Sequence, residues 1–270
     1  MSIEQIIILA IVQGITEFLP ISSSGHLILV PAMTGWKDQG LLADVMVHMG
    51  SFLAVVVYFW RDVINLFWGG IDLLRLRFST TNAKMALWII LATIPAVLFG
   101  LYMKKSGLID ELRGASIVAW NAIIFGILLY IADLFGPKLK RMEELGLKSA
   151  MIIGVAQAIA IIPGTSRSGI TMTAGRALGL TRPEAARFSF LLGIPAIGGA
   201  GVLFLGDAIA AGESVSADVI WAAVLTFFSA IAAIAFLMAL VKRMSFLPFV
   251  IYRVALGIFL LILIANGTIS

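Results

Sequence analysis

The sequence lacks cysteine altogether and contains only two histidines, His26 and His48. Disulfides and thiolate metal sites are therefore excluded, and there are too few imidazoles for a metal site built from several histidines. Charge is also scarce, because only 13% of the 270 residues are charged, about half the share of a typical soluble domain. Hydrophobic residues make up 61% of the chain, and the mean hydropathy is +1.06. This composition predicts an integral membrane protein rather than a soluble one.

Six stretches are apolar over nearly the ~20 residues that a spanning helix needs. They are about 41–60, 85–103, 115–135, 188–206, 218–241 and 248–266. Two further apolar regions, about 3–33 and 149–178, contain Pro20 and Pro163 beside serines and glycines, which interrupt a helix. Because non-helical backbone at membrane depth must be buried in protein or line a cavity, we interpret both regions as re-entrant helical hairpins. The N-terminus has no basic region typical of a cleaved signal peptide, so we expect none.

The two interrupted regions share a polar motif at a constant offset of 144 residues. The first copy, QGITEFLPISSSGH, covers residues 13–26, and the second, QAIAIIPGTSRSGI, covers residues 157–170. One copy is acidic through Glu17, and the other is basic through Arg167. Such groups are expensive at membrane depth and usually mark a function. We therefore expect one composite site built from two half-sites.

The basic residues are distributed unequally between the loops, which predicts the orientation. Fourteen of the 19 lie in the segments 61–84, 136–148, 176–187 and 242–253. The opposite side carries four, which are Lys37, Lys104, Lys105 and Arg113. The loop 207–217 contains Asp207 and Glu213 and no basic residue. The positive-inside rule places the basic set in the cytoplasm and both termini outside. We interpret the net charge of +4 as this topology signal and expect no nucleic-acid partner.

This topology gives each half one hairpin and three spans, and an odd number of spans inverts the second half relative to the first. The predicted fold is an all-α integral membrane protein with an inverted-topology repeat, each half being one re-entrant helical hairpin plus three transmembrane helices. We expect a single membrane domain over residues 1–270, with a first repeat of about 1–135 and a second of about 145–270. The hairpin tips then meet near the midplane, where secondary transporters with this plan bind their substrates.

The first motif combines a carboxylate with hydroxyls and an imidazole. Gln13 and Glu17 are four residues apart and share a helix face. Three roles are open for Glu17: general base, metal ligand or partner for Arg167. The run SSSGH, residues 22–26, offers hydroxyls beside His26. A histidine in such a place activates a hydroxyl as a nucleophile or protonates a leaving oxygen.

The second motif has the composition of an oxyanion cradle. Gly164 and Gly169 let backbone N–H groups approach a ligand, and Arg167 supplies a planar fork that suits phosphate. A helix that starts near Ser168 adds the favourable dipole of its N-terminus. Further hydroxyl donors come from Thr165, Ser166, Ser168 and Thr171. Arg167 lies well inside the apolar region, which favours a site role over snorkelling to the membrane surface.

Two other polar positions carry weaker signals. Asp44 and His48 are four residues apart at the start of a predicted span, and both a site role and an interfacial role are open for them. We expect Arg253 to anchor the last span at the interface, beside Tyr252.

Three stretches of the chain resemble the bacterial undecaprenyl-diphosphate phosphatases of the bacitracin-resistance type. They are Gln13–His26, Pro163–Thr171 and the C-terminal RMSFLPFVIYR, Arg243–Arg253. Length, spacing and hydropathy match over essentially the whole chain. The family's first motif begins with Glu or Gln, and the Gln13 found here disfavours a charged ligand or base at that position.

The resemblance implies a multi-pass enzyme of the bacterial inner membrane that hydrolyses undecaprenyl diphosphate to undecaprenyl phosphate and inorganic phosphate. This recycles the lipid carrier for peptidoglycan and other envelope polymers and confers bacitracin resistance. The resemblance also implies an outward-facing site, a bilayer environment and help from a divalent cation, Mg²⁺ or Ca²⁺, held by Glu17 and phosphate oxygens. A homodimer is left open.

The implied catalytic residues are Ser23 as nucleophile, Glu17, His26 and Arg167. The implied substrate-binding or phosphate-binding residues are Gln13, Ser22, Ser24, Gly164, Thr165, Ser166, Ser168, Gly169 and Thr171. Serine, histidine and water all remain open as the attacking group.

Two alternatives compete with this interpretation. A class of lipid phosphatases with a histidine nucleophile has similar Ser-Gly-His and Ser-Arg motifs, but it also needs a histidine after the Ser-Arg pair. No histidine follows Arg167 here, so we disfavour that class. A polyprenyl-phosphate transporter or flippase would use the same inverted repeat and midplane site. The crowding of nucleophilic and phosphate-binding groups favours the enzyme.

Overall fold

The computed structural model describes residues 2–36, 40–108, 112, 114–137, 139–212 and 215–269. The first half contains the helices α1 (Ile3–Phe18), α2 (Ser23–Thr34), α3 (Leu41–Tyr58), α4 (Trp60–Leu74), α5 (Thr81–Ser106) and α6 (Ala115–Phe135). A short 3₁₀-helix, Met142–Glu144, precedes α7 (Leu147–Ile159), α8 (Arg167–Ala177), α9 (Arg182–Ala210), α10 (Ala217–Leu240) and α11 (Leu247–Ala265). Four charges used to predict the orientation lie outside the described residues: Lys37, Arg113, Lys138 and Glu213.

The prediction of six spanning helices is confirmed. The described part of the chain has six helices that are long and apolar enough to cross a membrane, namely α3, α5, α6, α9, α10 and α11. Two of them start earlier than hydropathy predicted, because polar residues cap them. The Thr80 hydroxyl accepts from the Ala83 N–H at 3.1 Å before α5, and the Thr181 hydroxyl accepts from the Glu184 N–H at 3.4 Å before α9. The chain is therefore a multi-pass, all-helical membrane protein.

Helix α4 was not predicted, since the segment 61–84 was expected only as a basic loop. Its apolar residues Ile64, Phe67 and Trp68 share a helical stripe and are exposed. The opposite side packs against α5 at Gly69, where an added Cβ would lie 2.6 Å from the carbonyl carbon of Asn82. An amphipathic helix of this kind is typical of the membrane surface.

The two predicted interruptions are confirmed, one between α1 and α2 and one between α7 and α8. Pro20 and Pro163 lie within them, where the missing N–H and the ring are incompatible with a continuing helix. Ser22 has φ 77° and Ser166 has φ 70°, in the left-handed region that side chains disfavour. These serines occupy the same position of the repeated motif, so the two copies share this backbone conformation.

The helices pack side by side around the two interruptions, and α3 packs most extensively against α10. Helix α1 packs against α10, α7 packs against α5, α3 packs against α9, and α6 packs against α11. Small residues permit the close contacts. A Cβ at Gly14 on α1 would lie 2.8 Å from the Ala230 nitrogen, and a Cβ at Gly154 on α7 would lie 2.5 Å from the Ala92 oxygen. This packing brings the interrupted segments together at the centre of the protein.

A buried aromatic pair lies beside this central region of the protein. Phe18 and Phe190 are both fully buried, and their rings meet edge to face with centroids 5.3 Å apart. Phe18 directly follows Glu17, so the acidic residue at the end of α1 is anchored next to the apolar core.

Two arginines that were counted as loop charges, Arg176 and Arg253, are fully buried instead. Arg176 is fully buried and donates to Asp133 at 3.0 Å, and Arg182 donates to the same carboxylate at 2.8 Å. Arg253 is also fully buried, so the prediction that it anchors the last span at the interface is wrong. Without Arg176 and Arg253, twelve of the fourteen basic residues remain in the charge count that predicts the orientation, and Lys138 among them lies outside the described residues.

Candidate functional site

The site centres on the buried carboxylate of Glu17, in the last turn of α1. Its Oε2 accepts from the Ser23 hydroxyl at 2.8 Å and from the Gln13 amide at 3.1 Å. Its Oε1 accepts from Arg167 Nη2 at 3.0 Å. The ion pair therefore joins the acidic copy of the motif to the basic copy, as the sequence predicted for a composite site.

Arg167 is held in a specific place and does not snorkel. Its side chain is only 14% exposed, and Nη1 donates to the Ser189 carbonyl on α9 at 3.1 Å. The backbone of Gly193 lies directly against the guanidinium, since an added Cβ would be 2.7 Å from Arg167 Cζ. Sequence reasoning missed Ser189 and Gly193, because a lone serine and a glycine in an apolar helix carry no signal of a site.

The candidate nucleophile and the arginine occupy equivalent places. Ser23 and Arg167 are 144 positions apart, each is the first residue of its helix, and both bind Glu17. Helices α2 and α8 therefore both begin at this carboxylate. Helix N-termini carry partial positive charge and unpaired N–H groups, so their convergence favours an anion.

The serines that flank these two positions also match. The Ser22 and Ser24 hydroxyls are 3.3 Å apart, as are those of Ser166 and Ser168. In the second copy, Ser166 caps α8 by accepting from the Gly169 N–H at 3.1 Å. Each interruption thus has the same local geometry.

The other hydroxyls of the second motif bind protein groups. Ser168 donates to the Leu19 carbonyl at 3.1 Å, which ties α8 to the first interruption. Thr171 donates to the Arg167 carbonyl at 2.7 Å, and its hydroxyl lies 2.7 Å from that of Ser189. These contacts hold Arg167 and its helix against α1 and α9.

Gly164 and Thr165 lie where the second interruption crosses α6. Gly164 has φ 85°, and an added Cβ would be 2.6 Å from the Val118 oxygen. The Asn121 amide of α6 donates to the Pro163 carbonyl at 2.8 Å. Thr165 is fully buried, and within the described structure its hydroxyl has no hydrogen-bond partner. Among the described residues, the Gln157 side-chain amide of the same motif copy is likewise buried without a hydrogen-bond partner.

Arg253 holds both interruptions from the last span. Its guanidinium donates to carbonyl groups at 2.9 to 3.4 Å, those of Pro20, Asn121, Ala122, Gly164 and Thr165. Buried carbonyls need donors, and one planar guanidinium with five N–H groups meets this need for two irregular segments at once. Arg253 is therefore a structural clamp of the site.

The two histidines have different positions. His26 Nδ1 donates to the Ser22 carbonyl at 2.7 Å, its Nε2 lies 2.6 Å from the Tyr252 hydroxyl, and the two rings are stacked. His48, whose role the sequence left open, lies with Nε2 3.7 Å from Glu17 Oε2. The imidazole that faces the central carboxylate is thus that of His48, and Tyr252 is a neighbour of His26 that sequence reasoning placed only at the interface.

The donor set gives little support for a cation held by protein groups alone. The described residues contain no group of three or more His, Cys, Asp or Glu side chains that converge on one point. The Glu17 carboxylate already accepts three hydrogen bonds. Mg²⁺ and Ca²⁺ prefer six or more oxygen ligands, so most of them would have to come from a phosphorylated substrate and water.

Comparison with known proteins gives a consistent result over nearly the full chain. The model of a family described as Bacitracin resistance protein BacA matches residues 6–259. A protein named undecaprenyl-diphosphatase from Erythrobacter litoralis (strain HTCC2594) is 48% identical over 282 residues, covering 97% of this chain and 99% of that protein. Relatives with the same name from Jannaschia sp. (strain CCS1) and Ruegeria pomeroyi (strain ATCC 700808 / DSM 15171 / DSS-3) are also 48% identical, each over 97% of this chain and over 99% and 98% of their own lengths.

Proposed function

The chain belongs to the bacitracin resistance protein BacA family, and we propose that it is an undecaprenyl-diphosphatase whose active site is the Glu17–Arg167 ion pair with Ser23. It converts undecaprenyl diphosphate to undecaprenyl phosphate and inorganic phosphate. This regenerates the lipid carrier for peptidoglycan synthesis and accounts for bacitracin resistance. The observation that carries the assignment is the placement of a hydroxyl, a carboxylate and a guanidinium at the meeting point of two helix N-termini.

Arg167 and the two helix N-termini bind the diphosphate. The guanidinium fork suits two phosphoryl oxygens, and the N–H groups at the starts of α2 and α8 add donors without needing a further charge. Gln13, Ser22, Ser24, Ser166, Ser168 and Thr171 support this cradle through the hydroxyl and amide contacts described above. The phosphoryl group is therefore held by preorganised donors, which is the main requirement of phosphoryl transfer.

Ser23 is the nucleophile and Glu17 is its base. The Ser23 hydroxyl donates to Glu17 Oε2 at 2.8 Å, so its proton moves to Glu17 as Oγ attacks the terminal phosphorus. The bond between that phosphorus and the bridging oxygen breaks, and undecaprenyl phosphate leaves with the electron pair. Water then hydrolyses the phosphoserine and releases inorganic phosphate. His26 is bound to Tyr252 rather than to Ser23, so Glu17 is the better placed base.

A divalent cation, Mg²⁺ or Ca²⁺, would be held here by Glu17 together with diphosphate oxygens and water. When bound, the cation neutralises charge on the phosphoryl oxygens.

The site lies near the midplane of an inverted repeat and opens to the outer face of the inner membrane. The equal backbone conformation of Ser22 and Ser166 supports the repeat, and the distribution of basic residues along the sequence supports the orientation. The two interrupted segments are re-entrant hairpins that enter from opposite sides.

The test is phosphate release from undecaprenyl diphosphate by the full-length protein in detergent, with and without added Mg²⁺ or Ca²⁺. Arg167→Ala and Ser23→Ala are expected to lose at least about 10²-fold in kcat, the effect of removing one transition-state donor or the nucleophile. Arg243→Ala is the matched control, because Arg243 is an exposed arginine. A phosphorylated Ser23 peptide after acid quench would identify the nucleophile.

Two results would contradict the proposal. Wild-type turnover by Arg167→Ala would show that this ion pair is not the active site. No release by folded wild-type protein under any of these conditions would favour the polyprenyl-phosphate transporter, which uses the same midplane site.

A further inference from the structure

Helix α4 lies beside the starts of two spanning helices. Asp62, near its beginning, accepts from Arg187 Nε on α9 at 3.1 Å. Asp72, near its end, accepts from the hydroxyl of Thr80, the cap of α5, at 2.8 Å. With 15 residues, α4 is about 22 Å long, which is too short to cross the hydrocarbon core of a bilayer. The helix therefore lies at the level where α5 and α9 begin, which is one surface of the membrane.

The side of α4 that faces away from the protein is apolar. The stripe begins at the first residue of the helix and continues four, seven and fourteen positions later, with each member at least 44% exposed: Trp60, Ile64, Phe67 and Leu74. This spacing places the four side chains on one helical face. Gly69, on the opposite side, packs against α5. An exposed apolar face at the membrane surface is suited to the boundary between acyl chains and headgroups.

Exposed arginines accompany this stripe at both ends of the helix. Arg61 and Arg75 are four helical turns apart and so lie on the same side, and Arg77 follows just after the helix. Arg61 lies over the Trp60 ring, 5.2 Å from its centroid. Within the described parts of the chain, none of the three arginines forms an ion pair. Since both carboxylates of α4 bind protein groups, the free charge of this surface is positive.

We propose that the α4 surface, meaning the apolar stripe with Arg61, Arg75 and Arg77, is a docking site for anionic phospholipids. The stripe contacts the acyl chains, and the guanidinium groups bind the phosphate oxygens of the headgroups. A headgroup such as phosphatidylglycerol has a net negative charge that matches three unpaired arginines, whereas phosphatidylcholine carries its own cation. None of these residues belongs to the proposed active site, so the inference is independent of the proposed function.

The test uses a single fluorescent label, because the chain has no cysteine of its own. Full-length Ile64→Cys is labelled with bimane and reconstituted in vesicles that contain equal mole fractions of brominated phosphatidylglycerol or brominated phosphatidylcholine. We expect the anionic lipid to be preferred about fivefold in quenching, the effect of one arginine near a headgroup. High salt should abolish the preference by screening. Phe228→Cys, an exposed position on α10, is the control label and should show no preference.

Charge variants identify the residues responsible. Combining Arg61→Gln, Arg75→Gln and Arg77→Gln should remove the preference at an unchanged melting temperature, because these side chains are exposed and make no ion pair. The matched control keeps α4 intact and removes three other exposed positive charges: Arg141→Gln, Lys242→Gln and Arg243→Gln. It should retain the preference at position 64.

Several results would overturn the proposal. Equal quenching by both lipids, or a preference that survives high salt or the loss of the three arginines, would exclude headgroup recognition by α4. A preference lost equally in the matched control would assign the effect to net charge. Quenching by neither lipid would mean that another copy of the protein covers the surface. Loss of the preference on adding inorganic phosphate, at constant ionic strength, would assign the arginines to a free anion.

Discussion

Gly193 offers a direct way to move Arg167, the arginine of the proposed active site, without changing its charge. In Gly193→Ala, the new Cβ would lie 2.7 Å from Arg167 Cζ and 3.0 Å from Nη2, with Nη1 closer still. Ordinary contacts are 3.4–4 Å, so the guanidinium carbon must retreat by at least about 0.7 Å. The retreat would break the 3.0 Å contact with Glu17, because no slack remains in that hydrogen bond.

The expected effect is a large loss of activity in a folded protein. A misplacement of about 1 Å in a catalytic group costs about 10²-fold in rate. The helix itself should not suffer, because Ala is favoured over Gly in a helix interior by about 1 kcal/mol. We therefore expect kcat/KM for phosphate release to fall about 10²-fold while the melting temperature, followed by tryptophan fluorescence in detergent, stays at the wild-type value or rises.

Gly199→Ala is the matched control on the same helix, since a Cβ there would meet open space. It should leave both activity and melting temperature near wild type. Full activity in Gly193→Ala would refute the reasoning, because it would mean that Arg167 works from another position. Equal losses in both variants would refute it too, since the effect would then belong to α9 as a whole.

Two further predictions concern groups around the site. Asp133→Asn leaves Arg176 buried without its counter-charge. Breaking a buried ion pair costs about 3–5 kcal/mol, so we expect a marked fall in melting temperature. An unchanged melting curve would show that the backbone carbonyls around Arg176 are enough to stabilise its buried charge. Tyr252→Phe keeps the stacked ring but removes the hydroxyl beside His26 Nε2, and the loss of about 1 kcal/mol should lower kcat/KM roughly fivefold at constant melting temperature. An unaltered kcat/KM would argue against any role of that hydroxyl in the reaction.

The parts of the fold that depend on local composition could be predicted from the sequence. Each span is a continuous apolar run, and Pro20 and Pro163 stand beside Ser and Gly residues, a combination that favours an interruption of the helix, so both features were predicted correctly. Pro95 and Pro195 lack that polar surrounding and lie inside continuous helices. The convergence of Glu17 and Arg167 was predictable for another reason. Each charge needs a partner at membrane depth, and the repeated motif offered one of each sign.

The parts that depend on contacts between residues far apart in the sequence could not be predicted. Arg253 looks like an interfacial anchor until the carbonyls of two irregular segments are known to surround it. Gly193 becomes meaningful only because Arg167 passes over it. Helix α4 is different, because its apolar stripe was present in the sequence but was overshadowed by the basic residues around it.

The clamp formed by Arg253 has a consequence for how the protein is made. Glu17 and Ser23 leave the ribosome early, but the guanidinium that fixes both interruptions belongs to the last membrane helix. In a chain that lacks its last helix, the Pro20, Gly164 and Thr165 carbonyls would therefore lose this donor, and the two interruptions would no longer be held together by it. We expect activity only from chains in which the last helix has been inserted.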